Sequence, residues 1–87
     1  MKTRSDEHIS LQFGNWGRVT NLENQDFRLN NDEPFLIINE ADEDVYLDVI
    51  NPKYELVENV RFRQGGNPLL IRRIKQYTGS SNLIWGN

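Results

Sequence analysis

The sequence predicts a small β-rich domain of short antiparallel strands, and three stretches carry that prediction. Val45, Leu47 and Val49 alternate with Tyr46, Asp48 and Ile50, the period-two pattern of a strand with one buried face. Val60 and Phe62 alternate with Arg61 and Arg63 in the same way. The third stretch is the C-terminal one, Leu83-Ile84-Trp85. Chain ends fray unless something ties them down, so three large apolar residues here predict a final strand.

Length sets the scale of what these strands can build. The chain has 87 residues, which makes one domain that buries roughly 60–65% of the surface of its unfolded form, a marginal core that leaves room for help from partners. Apolar residues make up 37% of the chain and its mean hydropathy is −0.70. That is polar for a domain, yet it keeps enough aliphatic and aromatic residues to stand outside the disordered class. There is no cysteine, which excludes a disulfide framework and a thiolate metal site. No apolar run approaches the ~18–20 residues of a membrane span, and the opening MKTRSDEHISLQ lacks the apolar core of a signal peptide. The expectation is a protein with no membrane partner.

Charge is distributed unevenly along the chain. Residues 1–31 hold four acids and four bases, residues 32–58 nine acids against Lys53, and residues 59–87 five bases with no acid. Two arrangements fit. Acidic and basic strands can lie side by side and pair across a sheet, or the two signs can occupy different faces, so that copies meet acidic face to basic face in a ring or stack. The net charge of −3 disfavours nucleic acid as a partner, although the five bases of residues 59–87, with no acid among them, could still form a local patch.

In chain order, the N-terminal third is the least patterned. Short alternations at Ser10-Leu11-Gln12-Phe13 and Asp26-Phe27-Arg28-Leu29 are separated by Gly14-Asn15-Trp16-Gly17. Residues 1–31 read as an N-terminal arm with one or two short strands, leaving residues 32–87 as the β-domain. Trp16 fits either a core anchor or an exposed aromatic that docks into a neighbour. Phe35-Leu36-Ile37-Ile38, bounded by Pro34 and Asn39, has the length and β-branched content of a buried strand. Residues 40–44 form a turn, and the strands on either side of it should pair as a hairpin. Residues 53–58 fit a short strand or one turn of helix, and Gly65-Gly66 ends the strand that follows.

Residues 67–77 are ambiguous. As a helix, Asn67 would cap, Pro68 would take the first position, Leu70, Ile71, Ile74 and Tyr77 would share a face, and Gly79 would stop it. As a strand, Ile71 and Ile74 would point to opposite faces unless a bulge at Arg72-Arg73 turned both inward. The residues themselves slightly favour the helix. Thr78-Gly79-Ser80-Ser81-Asn82 reads as a hairpin loop into the last strand, with Gly79 free to take positive φ.

Chemistry is sparse. Asp42 and Asp44 lack the downstream glycine and glutamate of a calcium loop, so the acidic run reads as a solvated turn. His8 is the sole histidine, which leaves no His-centred catalytic group and no His-rich zinc site. Gly65-Gly66 is followed by Asn67-Pro68 and not by the lysine and hydroxyl of a phosphate loop. The expectation is no catalytic residue, no metal and no cofactor.

Leu36-Ile37-Ile38, Val45 to Val49, Val60-Arg61-Phe62, Gly66 with Pro68, Ile71 with Arg73-Ile74, Thr78-Gly79 and Leu83-Ile84-Trp85 occur in that order. In this succession the chain resembles short all-β virion proteins of tailed bacteriophages and gene-transfer agents, the head-spike base proteins and their relatives. The resemblance covers about residues 35–87; residues 1–31 match nothing in it, and the turn at 40–44 lacks the glycine usual between the first two strands. It implies an all-β fold, a small antiparallel sandwich or barrel of about five to seven short strands, with a strand instead of a helix over Leu69 to Tyr77. It also implies no enzymatic activity and a location in the virion, assembled in the host cytoplasm, as a head, spike-base or decoration protein. The expected partners are other virion proteins and further copies of the chain, as a homo-oligomer. The alternatives are a tail or connector adaptor, or a small non-viral bacterial protein-binding module.

Strands are therefore expected near 35–39, 44–50, 59–63, 69–77 and 82–86. The expected core is Leu36, Ile38, Val45, Leu47, Val49, Val60, Phe62, Ile71, Ile74 and Ile84. The candidate interface residues are Phe13 and Trp16 in the arm and Arg61, Arg63, Arg72 and Arg73 on outer strand faces.

Overall fold

A computed structural model describes residues 13–79 and 81–87. They form eight strands: β1 (Trp16–Arg18), β2 (Phe27–Arg28), β3 (Phe35–Asn39), β4 (Val45–Ile50), β5 (Leu56–Phe62), β6 (Gly65–Ile71), β7 (Arg73–Ile74) and β8 (Leu83–Gly86), with a 3-10 turn at Asn30–Asp32. Two four-stranded sheets result, sheet I in the order β1-β8-β3-β6 and sheet II in the order β2-β7-β4-β5. All ladder pairings between these strands are antiparallel. The fold is all-β, as expected.

The core lies between the sheets. Sheet I contributes Phe35, Ile37, Ile71 and Leu83, and sheet II contributes Val45, Leu47, Val49, Phe62 and Ile74. Phe27 of β2 meets Phe35 of β3 edge-on, with ring centroids 5.6 Å apart, a favoured aromatic geometry. Six of the expected core residues, Val45, Leu47, Val49, Phe62, Ile71 and Ile74, are buried there, and Val60 packs against them while partly exposed. These residues lie where the sequence alternates cleanly or, for Ile71 and Ile74, where a break turns both inward.

That break is a change of sheet. β6 runs along the edge of sheet I, Arg72 interrupts it, and β7 continues in sheet II beside β4. The Arg72 N–H donates to Ile50 O at 2.8 Å. Residues 67–71 and 73–74 are strand, Arg72 is a bend and residues 75–77 belong to no strand, so the helical alternative does not form and the strand expected over 69–77 is divided and ends at Ile74. Gly65-Gly66 begins β6 and does not close the preceding strand; Gly65 takes a φ of 88°, conformational freedom that a side chain would restrict.

Other expectations are corrected. The runs at 35–38 and 45–49 do not form a hairpin: β3 pairs with β6 and β8, and β4 pairs with β5 and β7. Between them the chain crosses the sandwich, and buried Asn39 holds the crossing. Its Nδ2 donates to Glu43 O and to Phe62 O, each at 3.1 Å, and its Oδ1 accepts the Ala41 N–H at 2.9 Å. Residues 78–82 are not a hairpin loop either, because β7 and β8 belong to different sheets. Among the described glycines only Gly65 has positive φ, so Gly79 does not use that freedom; Ser80 lies outside the described residues.

The inward faces of β3 and β8 also differ from expectation. Phe35, Ile37 and Asn39 point in while Leu36 and Ile38 point out and are only partly covered, and Leu83 replaces Ile84 in the core. Residues 13–31 join both sheets. β1 pairs with β8, β2 pairs with β7, and Leu22 is buried, with Val19, Phe27 and Leu29 packed on the core. Residues 1–12 of the expected arm lie outside the described residues.

Charges pair across strands, the first of the two arrangements above. Arg61 meets Asp44 at 2.7 Å, Lys75 meets Asp26 at 3.0 Å, and Arg73 and Arg18 meet Asp32 and Glu40 at 3.2 Å. The Asp32 carboxylate also lies 3.7 Å from the Arg28 guanidinium, four residues back in the chain.

Candidate functional site

Among the described residues, five of the seven exposed large apolar side chains belong to β5, β6 and the turn before β5, while Trp16 and Tyr46 lie on β1 and β4. β5 and β6 are edge strands of sheets II and I, whose other edges are β2 and β1, and both carry bulges. Between the pairs Leu47↔Val60 and Val49↔Val57, β5 has one residue more than β4, around Glu58 and Asn59. Asn59 takes a φ of 58° and donates its N–H to Asp48 Oδ1 at 2.8 Å. Between Phe35↔Ile71 and Ile37↔Asn67, β6 has two residues more than β3, which lifts Pro68, Leu69 and Leu70 off the ladder. Bulges blunt sheet edges against uncontrolled strand pairing.

These bulges leave apolar side chains in solvent. Leu69 and Leu70 are about half exposed, as are Leu56 and Val57 at the start of β5. Tyr54, two residues before Leu56, is exposed as well. The Arg72 guanidinium lies over its ring, 4.6 Å from the centroid, while Arg72 Nε donates to Pro52 O and Nη1 to Asp32 O, both at 2.9 Å. A stacked cation of this kind contributes ~0.5–1 kcal/mol where exposed.

Tyr54 is presented by a strained turn. Its φ is 64°, uncommon for a bulky residue. Asn51 holds the turn: Oδ1 accepts the N–H groups of Lys53 and Glu55, Nδ2 donates to Glu55 Oε1, and the backbone exchanges bonds with Tyr54 and Glu55. Strain retained at a surface turn points from geometry toward function.

A second apolar surface covers the outside of sheet I. Cross-strand register places Trp16, Gly86 and Leu36 in one row and Arg18, Ile84 and Ile38 in the next. The Phe13 ring sits where a side chain on Gly86 would stand. Trp16 is 65% exposed.

The six candidate interface residues do not form one site. Phe13 and Trp16 lie near β1, at the edge of sheet I opposite β6. Arg61 is paired with Asp44, which raises its pKa through their hydrogen bond and attraction. Arg73 is held by Asp32, and Arg72 by Tyr54 and two carbonyls. Arg63 is exposed, and its N–H donates to Asn67 Oδ1 at 3.0 Å. Arg61, Arg72 and Arg73 thus have partners within the domain. Tyr54, Leu56, Val57, Leu69 and Leu70 are not among the candidate interface residues expected from the sequence. A signal was available in the adjacent pairs Leu56-Val57 and Leu69-Leu70, since in a regular strand one member of each pair must face outward.

Among the described residues, no group of three His, Cys, Asp or Glu side chains converges as a metal ion would need, and no helix is long and apolar enough to cross a membrane. His8 lies outside the described residues. No family model, no curated protein and no solved structure matches this chain.

Proposed function

We propose that this chain is a non-enzymatic structural protein of a phage-like virion, a small head, spike-base or decoration component that works by self-association and by docking to other particle proteins. The observation that carries the association is the exposed apolar edge formed by Tyr54, Leu56, Val57, Leu69 and Leu70. A domain of this size has little core of its own, and burying that edge would add to it. The virion assignment is supported by the order of sequence motifs from Leu36 to Trp85.

Light scattering of the full chain from micromolar to near-millimolar concentration tests the association. The mass should rise with concentration above the 10.2 kDa of one chain; a constant single-chain mass overturns self-association. The virion assignment is tested by mass spectrometry of gradient-purified particles from the source that carries the gene. The chain should appear in fixed ratio to the major capsid protein, and its absence from such particles refutes the assignment.

A further inference from the structure

We infer that the β5–β6 edge is closed by a second copy of this chain about a two-fold axis passing near Leu56, so that the Asn51–Glu55 turn of each copy lies against the start of β5 in the other. This rests on the self-association proposed above and adds its surface and symmetry.

Charge selects this arrangement. From Lys53 to Glu58 the edge reads Lys-Tyr-Glu-Leu-Val-Glu. Run antiparallel against itself, it sets Lys53 opposite Glu58 and Tyr54 opposite Val57, twice in each dimer. Run parallel, it sets Lys53, Glu55 and Glu58 each against its own like charge, which is destabilising. Neither Lys53 nor Glu58 is in an ion pair among the described residues, while Glu55 is drawn back by Asn51 Nδ2 at 2.9 Å.

Area points the same way. Summed over both faces of the edge, the exposed parts of Tyr54, Leu56, Val57, Leu69 and Leu70 amount to roughly 500 Å² of mostly apolar surface. With a polar rim this approaches the ~800 Å² that each partner buries in a standard interface. The bulge around Glu58 and Asn59 limits the regular pairing to the start of β5, and a two-fold contact uses this edge in both copies, so the assembly closes as a pair.

Sedimentation velocity at low salt on the full chain tests the inference, with circular dichroism verifying that each variant folds. Lys53→Glu alone and Glu58→Lys alone should each weaken the dimer about tenfold or more, because each sets like charges together twice. An equimolar mixture of the two variants should dimerise again, since both cross-pairs become attractive. Leu70→Asp should weaken the dimer in every background. If the wild type associates but the charge reversals change nothing, another surface is used: this inference fails and self-association stands. If the single variants are weakened and the mixture does not recover, the two-fold apposition is wrong. A wild type that stays monomeric overturns both this inference and the self-association beneath it.

Discussion

Truncating Ile37 should unfold the domain far more readily than truncating its neighbour Ile38. Ile37 is fully buried, on a strand flanked by β8 and β6 and in register with Trp85 and Asn67. Ile38 sits on the outer face of the same strand, partly covered. Removing a buried isoleucine to alanine costs ~2–5 kcal/mol, rising with the cavity that remains. A site with strands on both sides cannot collapse readily, so Ile37→Ala belongs in the upper half of that range. Ile38→Ala, with solvent already beside it, should cost about 1 kcal/mol. A domain of this length has a total margin of about 4–13 kcal/mol. With a urea m-value of about 1 kcal/mol/M, Ile37→Ala should lower the unfolding midpoint by about 3 M or more, and Ile38→Ala by about 1 M. Half-buried Trp85 gives a fluorescence signal for the transition. Equal shifts, or a larger one for Ile38, would refute the assignment of the inner face.

Three further outcomes follow from the same geometry. Asn39→Ala leaves Phe62 O and Glu43 O without their donor and should cost about 2–3 kcal/mol in the same urea assay; a loss under 0.5 kcal/mol would show that Asn39 does not hold the crossing. Burial raises the Asp26 pKa, but hydrogen bonds from Lys75 and the Gln76 N–H, with attraction from Lys75 and Arg73, outweigh it and leave the value below the usual 3.8. The unfolded chain therefore binds more protons there in acid. The contribution is complete above the unfolded value and fades as pH falls through the folded one. Asp26→Asn should flatten the pH dependence of stability between about pH 2 and 5, and an unchanged profile would exclude Asp26 as a contributor. A chain starting at Asn31 loses β1, β2 and buried Leu22, and should give no cooperative unfolding transition by circular dichroism; a folded fragment would show that the first strands are dispensable.

Local pattern alone determined the β character of this chain, the alternation of β4 and of the second half of β5, and most of the core they supply. A strand with one wet face states its own phase, as in Val45-Tyr46-Leu47-Asp48-Val49. Phe35-Leu36-Ile37-Ile38 and Leu83-Ile84-Trp85 are apolar on both faces, so period two gives two equal answers. Only the register between β3 and β8, with Phe13 and Trp16 on the outer side, decided which residues turn inward. Strand partners were likewise tertiary. A short turn such as 40–44 can close a hairpin or cross a sandwich, and here buried Asn39, bridging β3 to Phe62 O, fixes the crossing. The apolar edge was hidden for the same reason: Leu69-Leu70 and Leu56-Val57 look like core until two bulges and the Arg72–Tyr54 stack set them outside it.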